Sequence, residues 1–219
     1  LAPLDTSCSL CHHAPAEETE RDRDSDQVRR VCRTCFANRE LGQRLPRAQW
    51  LIVRNTPRPG DFELFGFGVA VSNEGHNAVD QDTLAVANLR DPSARPTWCP
   101  AERFLKRRLM AHVPTDQHQC PVWFTELARQ AEGDHLLAVL KADADSLGAR
   151  FHYLLNSHGL EAMAQFSEQL DGFFAGRLRQ EITDDPQGRW QWIYTIFAGG
   201  DDLVMVGPWD VMLDFAGIM

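Results

Sequence analysis

The sequence predicts an α+β fold, and three observations in its C-terminal third lead to that class. Residues 135–142 form a nearly continuous apolar run, which is typical of a strand. A long stretch then continues to about residue 181 with helical spacing of its apolar side chains. Two more apolar runs, 190–197 and 203–206, flank a Gly-Gly-Asp-Asp turn and predict a hairpin. This order of strand, helix and hairpin is that of a ferredoxin-like split βαβ domain that stops before its last strand.

The individual elements of this domain, residues 135–219, follow from the pattern. The first strand should be central and covered on both faces, because its apolar side chains do not alternate with polar ones. The helical stretch should run through about Glu181, with Leu170, Phe173, Phe174 and Leu178 at helical spacing. Gly207 and Pro208 should end the last strand and begin another helix.

Residues 1–60 predict a small module organised by four cysteines. A polar stretch, 15–30, separates two Cys-x-x-Cys pairs and is expected to be a solvent-exposed loop, because it has almost nothing to bury. A short helix over 36–42 and a strand over 49–53 should follow.

Residues 61–134 predict a connecting α/β segment. Strands are expected over 62–71 and 83–89, and helices over 101–110 and 122–130, the first of them basic.

Composition excludes several classes of protein. The formal net charge is −9, so non-specific binding to nucleic acid is disfavoured. Residues 135–219 hold 12 acidic and 5 basic side chains, and an acidic cluster in a cleft is what divalent cations require.

No apolar run reaches the roughly 18 residues that span a bilayer, and no signal peptide is visible, so a cytoplasmic location is expected. The chain begins at Leu1 without Met, which suggests a piece of a longer protein.

The two Cys-x-x-Cys pairs, Cys8/Cys11 and Cys32/Cys35, predict a structural zinc site. Each pair places two sulfurs on one turn, and two turns complete a tetrahedron with no position left for water. Free thiols, a disulfide, or replacement of a ligand by His12 or His13 are the alternatives. Cys99 and Cys120 lack a partner motif and are expected to be ordinary buried or surface thiols.

The acidic residues predict a second metal site. The first strand of a ferredoxin-like sheet lies beside the third, so Asp143 at the end of the first should meet Asp201 or Asp202 on the hairpin. Such carboxylates suit Mg²⁺ or Mn²⁺, and two such ions promote phosphoryl transfer. Gly199 and Gly200 permit a tight turn and leave space for a triphosphate. An Asp-x-Asp at a strand end and a Gly-Gly-Asp-Asp turn each occur in ordinary loops and turns. The prediction therefore rests on finding both motifs in this order.

Three neighbouring residues keep open roles. Asp145 either binds metal or faces away. Lys141 either approaches a phosphate or is simply solvated. Ser146 either contacts a nucleotide or caps the following helix.

These motifs resemble the large catalytic subunit of type III CRISPR effector complexes, and the Csm-type (type III-A) version fits best. Residues 137–148 resemble the strand and loop of its second palm domain, residues 194–210 resemble its GGDD hairpin, and residues 108–114 resemble the preceding segment. The cysteine module also fits, because the family has a cysteine-rich zinc module between its two palm domains.

The resemblance implies a nucleotidyltransferase that converts ATP to cyclic oligoadenylates when target RNA pairs with guide RNA. It implies catalytic and metal-binding roles for Asp143, Asp201 and Asp202, with Asp145 as a further metal ligand. It also implies nucleotide contacts for Gly199, Gly200 and Ser146, although Ser146 replaces the common Asn. The implied cofactors are two Mg²⁺ or Mn²⁺ ions and a structural Zn²⁺, and the implied partners are guide RNA, target RNA and the other subunits of the complex.

Two rival functions remain at this point. A GGDEF-type diguanylate cyclase shares the glycine and acid pattern, but Leu203 stands where that motif usually has Phe after a second acid. A non-catalytic scaffold that holds RNA in the complex would need only the zinc module and an incomplete palm. No His-Asp dipeptide occurs, so the family's HD nuclease domain is not expected in this chain.

Overall fold

The structure is a computed structural model that describes residues 7–21, 27–74, 79–91, 93–106, 112–200 and 202–219. The chain divides into two compact units, Leu1–Val86 and Ala87–Met219. The domain boundaries expected after residues 60 and 134 remain predictions.

The first unit combines a cysteine-centred hairpin and helix with a small antiparallel sheet. Strands β3, β4 and β5 pair in the order β4-β5-β3, and β6 follows β3 in the sheet. Alternate side chains of β3, among them Trp50 and Ile52, are buried, so one face of this strand is covered. The elements are β1 (Glu18–Arg21), β2 (Val28–Val31), α1 (Arg33–Arg44), a 3-10 turn (Leu45–Arg47), β3 (Trp50–Arg54), β4 (Phe62–Leu64), β5 (Phe67–Ser72) and β6 (Thr83–Asn88).

The polar stretch before Cys32 is not simply a loop, as the sequence suggested, because β1 and β2 form an antiparallel hairpin there. Its strands have little apolar surface, and their stability comes from two other sources. Val31 is buried against the cysteine cluster. Glu20 forms a shielded ion pair with Arg39 of α1. Composition alone did not reveal either contact.

The second unit contains the predicted palm-like order of elements. Its short elements are a 3-10 turn (Ala101–Arg103), β7 (Phe104–Leu105), α2 (Phe124–Ala128) and a 3-10 turn (Trp190–Trp192). Its main elements are β8 (Leu137–Asp143), α3 (Leu147–Gly172), a π-helical turn (Phe173–Arg177), α4 (Leu178–Thr183), β9 (Tyr194–Gly199), β10 (Asp202–Pro208) and α5 (Trp209–Ala216).

Two predictions within this unit were wrong in detail. The basic helix over 101–110 is a 3-10 turn and a two-residue strand as far as residue 106, and residues 107–111 lie outside the described part. The strand expected from residue 190 begins at Tyr194, because Trp190–Trp192 forms a 3-10 turn.

Strands β8, β10 and β9 form one antiparallel sheet in that order, so the first strand of the domain lies beside the third, as predicted. One face packs on a core that includes Leu203 and Met205 of β10, both fully buried, and Phe215 of α5. Leu140 of β8 points to the same core. The other face is open on β8, where Val139 is 67% exposed, but it is covered at Val206 of β10, which is buried. The prediction that β8 is central and doubly covered was therefore wrong for the described residues, among which it is an edge strand.

Helix α3 is not one continuous rod. Gly159 has φ 81° and ψ −178°, which is not helical, and interrupts it. The rings of Phe151 and Phe166 lie 5.3 Å apart at their centroids. In an uninterrupted helix their positions would be separated by roughly 22 Å at 1.5 Å per residue. The two halves therefore fold back on each other. No helix among the described residues has both the length and the apolar character needed to cross a membrane.

Two hydrogen bonds and two ion pairs fix β9 and the segment that leads into it. The backbone N–H of Thr195 donates to the His112 carbonyl at 2.9 Å, and His112 Nε2 lies 3.0 Å from the Gln191 carbonyl. Burial lowers the pKa of His112 below its usual value. Arg189 forms ion pairs with Asp210 and Asp214 of α5, the latter at 2.7 Å. The start of β9 is thus tied both to the preceding segment and to the last helix.

Candidate metal and nucleotide site

Asp143 and Asp202 are direct cross-strand partners at the same end of the sheet. Asp143 is the last residue of β8, and Asp202 is the first residue of β10. Directly opposed residues of an antiparallel pair project from the same face with Cβ atoms roughly 5 Å apart. The two carboxylates therefore share one face, and it is the open face, because the neighbouring Ala142 and Leu203 belong to the core side.

The turn that precedes Asp202 has the backbone that its glycines permit. Gly199 has φ 153° and Gly200 has φ 66°, values that side chains with a Cβ rarely adopt. A Cβ added at either position would meet open space, so the requirement for glycine comes from the backbone rather than from crowding. Asp201 lies outside the described residues, and its role remains a prediction.

Lys141 is part of the same surface. It lies two residues before Asp143 on β8, so its side chain projects from the same face. Its Nζ atom lies 3.8 Å from an Asp202 carboxylate oxygen, and both side chains are substantially exposed. The sequence left open whether this lysine was merely solvated, and the structure brings its ammonium group to the acid pair.

Asp145 and Ser146 follow β8 in an exposed turn. Ser146 precedes α3 but makes no capping hydrogen bond through its side chain, so the capping alternative is wrong. Its φ of 58° and ψ of 25° are left-handed, a conformation in which Asn is enriched. The Asn common in the resembling family is thus the residue that this backbone favours.

The donor set fits divalent cations of the magnesium class. Asp143 and Asp202 offer carboxylate oxygens, which are the ligands Mg²⁺ and Mn²⁺ prefer, from a rigid strand pair rather than from mobile loops. The open face beside them leaves access for a large anionic substrate. The same two residues would hold the cations, with Asp201 and Asp145 as candidates to complete the set.

The four cysteines of the first unit converge on one point. The Sγ atoms of Cys8, Cys11, Cys32 and Cys35 all lie within 4.8 Å of one another, and those of Cys11 and Cys32 are 3.9 Å apart. Tetrahedral zinc with bonds of about 2.3 Å places its sulfurs about 3.8 Å apart. All four cysteines are free rather than disulfide-bonded. The geometry is consistent with a zinc-binding module.

The thiols of this cluster affect one another's protonation. Burial would raise the pKa of Cys8, but backbone hydrogen bonds from Cys11, Cys32 and Leu10 lower it to about 6. Burial and the neighbouring sulfurs instead raise the pKa of Cys35 to about 12. Four adjacent thiolates would repel one another, and a bound divalent cation would offset that repulsion. The cluster therefore has the electrostatic character of a metal site.

Sequence reasoning missed three features of the second unit. The fold-back at Gly159 had no signal beyond a single glycine, which helices also tolerate. The left-handed Ser146 had no signal in its residue type, because serine has no special preference for that conformation. The link of His112 to β9 lies within a segment that the family resemblance had singled out, although its contacts could not be predicted.

Curated proteins related to this chain are CRISPR-associated. Over 235 residues the chain is 24% identical to the single-strand-specific deoxyribonuclease Cas10/Csm1 (subtype III-A) of Thermococcus onnurineus. That match covers 95% of this chain and 28% of the relative. The Cas10/Csm1 protein of Methanocaldococcus jannaschii is 31% identical over 99 residues, which is 42% of this chain and 12% of the relative. The matches thus span little more than a quarter of the length of the first relative and about an eighth of the second.

Residues 136–218 match the family model of the Cas10/Cmr2 second palm domain. The fold is also similar to part of one chain in the crystal structure of the Csm1–Csm4 cassette with AMPPNP, with a TM-score of 0.66 and 22% identity over 84% of this chain and 26% of that chain. These findings confirm the resemblance to the large subunit of type III-A effector complexes and the α+β fold with a palm domain.

Proposed function

We propose that residues 136–218 are the catalytic palm of a nucleotidyltransferase that joins ATP molecules into cyclic oligoadenylates within a type III-A effector complex. The observation that carries the proposal is the register of β8 against β10, which opposes Asp143 to Asp202 on an open face of the sheet. Pairing of target RNA with guide RNA would switch the activity on, and the other subunits would hold those RNAs.

Ligands of the related solved structures support ATP as the substrate. Csm1–Csm4 complexes of this fold have been solved with ATP, with the linear intermediates pppApA and pppApApA, and with cA3. The series contains a substrate, two growing chains and a cyclic oligoadenylate. The corresponding reaction for this chain is attack of a 3′-hydroxyl on an α-phosphate, with pyrophosphate as the leaving group.

Different residues of this chain would have different roles in that reaction. Asp143 and Asp202 would hold the cations, with Asp201 and Asp145 beside them. When bound, the two cations would supply activation of the attacking hydroxyl and stabilisation of charge on the leaving pyrophosphate. Gly199 and Gly200 keep side chains away from the approach of the triphosphate.

Two groups at the edge of the site would orient the nucleotide. The Lys141 ammonium group, beside Asp202, would balance negative charge on the triphosphate. The exposed turn at Ser146 leads into the N-terminus of α3, whose free backbone N–H groups favour phosphate.

The zinc module has a structural part in this proposal. The cysteine cluster would hold β1, β2 and the start of α1 together, because apart from the buried Val31 and the cysteines these elements have little core of their own. A closed four-sulfur site leaves no position for a substrate, so no step of the reaction is assigned to it.

The decisive experiment uses the full-length protein in its assembled complex with target RNA and labelled ATP. The double variant Asp201→Ala with Asp202→Ala should abolish oligoadenylate synthesis while RNA binding survives. Glu161→Gln, an exposed change on α3, serves as the control and should leave synthesis intact. Unchanged signalling in the double variant would favour the scaffold function, and cyclic di-GMP formed from GTP as the sole product would favour a diguanylate cyclase.

A further inference from the structure

The open face of the sheet formed by β8, β10 and β9 carries an exposed phenylalanine beside the acid pair. Phe197 of β9 lies opposite Val204 of β10, and Val204 lies two residues after Asp202 on the same strand. Residues two apart on a strand project from one face, so Phe197 shares the face of Asp143 and Asp202. Its side chain is 52% exposed. An accessible aromatic ring thus lies on the same surface as the carboxylates that would hold the cations.

The spacing between Phe197 and the acids suits a single nucleoside. Phe197 and Asp202 are diagonal neighbours in the ladder, and the Cα atoms of such residues lie roughly 7–8 Å apart. In a nucleoside, one ribose ring separates the base from the 3′-hydroxyl group. A base that stacks on Phe197 therefore leaves its 3′-hydroxyl at the row of the acids, where a cation can activate it.

Helix α2 closes the other end of this face. Val206, one row further from the acids than Val204, is buried, and its cross-strand partner is Tyr194. The ring of Phe124 in α2 lies 5.4 Å from the ring of Tyr194, at an interplanar angle of 82°. On β9 and β10, the described residues therefore leave open only the strip between α2 and the acids, and Phe197 lies in that strip.

The side chains of the strip suit a base better than a phosphate. Ile196, which precedes Phe197 on β9, is 55% exposed, and Val204 is partly exposed. Lys141 completes the row on β8, but its ammonium group is directed to Asp202. Aromatic side chains stack on bases of any sequence, because every base has a π face. The strip thus offers an apolar, aromatic platform next to a charged row.

The geometry of phosphoryl transfer assigns this platform to the attacking nucleotide rather than to the donor. Helix α3 begins at Leu147, beyond the end of β8, and the free backbone N–H groups of its first turn favour the triphosphate of the donor. The attacking and leaving oxygens lie roughly in line across the phosphorus. Because the leaving pyrophosphate lies towards α3, the attacking hydroxyl approaches from the opposite side of the acid row. Phe197 lies on that side.

We propose that Phe197 stacks on the adenine of the attacking nucleotide, whether ATP or a growing oligoadenylate, and so positions its 3′-hydroxyl at the acid pair. This inference rests on the proposed function and adds the binding site of one of its two substrates. In the step concerned, the 3′-oxygen forms a bond to the α-phosphorus of the donor ATP. The bond from that phosphorus to the pyrophosphate oxygen breaks, and the hydroxyl proton passes to solvent.

Two analogues, each limited to one role, separate the substrates in the full-length protein within its assembled complex. 3′-Deoxy-ATP has no attacking hydroxyl and acts only as the donor. A pppApA with a methylene bridge between the α and β phosphorus atoms cannot release pyrophosphate and acts only as the acceptor. Phe197→Leu should raise the KM for this acceptor about tenfold, because the stacking is lost. The KM for 3′-deoxy-ATP should stay unchanged.

Two further variants make the result specific to the ring. Phe197→Tyr keeps an aromatic side chain and should retain the acceptor KM of the wild type. Leu213→Thr, which removes an exposed apolar side chain from α5, is the matched control and should leave both KM values unchanged.

The possible outcomes distinguish this inference from the proposed function. If the wild type extends the acceptor and Phe197→Leu has the same acceptor KM, the inference is overturned and the proposed function stands. An equal rise of both KM values in Phe197→Leu would also overturn the inference, because it would indicate a change of the fold or of a contact with another part of the protein. A wild-type complex that forms no extended product would overturn the proposed function, and the inference with it.

Discussion

Asp143 lies directly opposite Asp202 in the register of β8 and β10, although α3, α4 and β9 separate them along the chain. If this pair holds the catalytic cations, Asp143→Asn should reduce oligoadenylate synthesis about 100-fold or more, because a neutral amide binds a divalent cation poorly. Product is measured in the assembled complex with saturating ATP. Glu168→Gln on α3 should retain full activity, and equal losses in both variants would contradict a specific role.

Lys141 should weaken the binding of free cations, even though we propose that it helps to bind the nucleotide. Its ammonium group lies 3.8 Å from an Asp202 oxygen and repels a divalent ion there. Lys141→Met should therefore tighten Mn²⁺ binding about 2- to 5-fold without nucleotide, since both side chains are exposed and the repulsion is screened. Calorimetric titration of the full-length protein measures this. Lys106→Met alters the only other lysine of the chain and should have no effect.

The four cysteines should hold one zinc ion per chain. Cys32→Ser should remove that zinc and lower the thermal stability of the first unit, because binding of the metal contributes to folding. Elemental analysis of the purified protein measures the stoichiometry. Cys120→Ser, outside the cluster, should keep its zinc. A full complement of zinc in Cys32→Ser would exclude a four-sulfur site.

His112 should make the second unit less stable in mild acid. Burial lowers its pKa in the folded state, so the unfolded state binds the proton more readily. The stabilisation is complete above the ordinary pKa of about 6.5 and is lost as the pH falls below that value. Melting temperatures at pH 7.5 and 5.5 should therefore differ more in the wild type than in His112→Gln. His158→Gln, in an exposed part of α3, should behave like the wild type.

Ser146 offers a test of backbone preference. Because its φ is 58°, replacement by Asn should increase the free energy of unfolding by up to about 1 kcal/mol. Ser146→Ala should not increase the free energy of unfolding, because alanine has the same steric strain as serine in this conformation. Chemical unfolding of both variants gives the comparison, and equal stability of the two would show that the left-handed turn is not the determining factor.

The sequence predicted that Asp143 would lie near the acids of the hairpin, but it did not predict how exposed strand β8 is. The split βαβ order alone requires the first strand to lie beside the third, and from this Asp143 was expected near the hairpin. The apolar run of β8 could not indicate how many neighbours the strand has, since apolar residues suit both central and edge positions. Val139 is consequently exposed where burial was expected.

Other errors arose where an element is stabilised by contacts that leave no periodic pattern of apolar residues in the sequence. The β1–β2 hairpin is held by an ion pair between Glu20 and Arg39 and by the cysteine cluster, so hydrophobic periodicity could not find it. The break in α3 depends on the φ of Gly159, and many glycines within helices cause no break at all. Phe65 was predicted only as part of a strand, because its residue type argues against the turn that it occupies.

Helix α3 folds back on itself and forms an arm that projects from the sheet. The length of this arm therefore does not affect the positions of the two acids. Both ends of the arm return to the sheet, so residues inserted beside Gly159 would extend its far end and leave the strand ends where they are. Related proteins are thus free to diverge in the size of this projection. The spacing of Asp143 from Asp202 depends instead on a strand ladder that tolerates no such insertion.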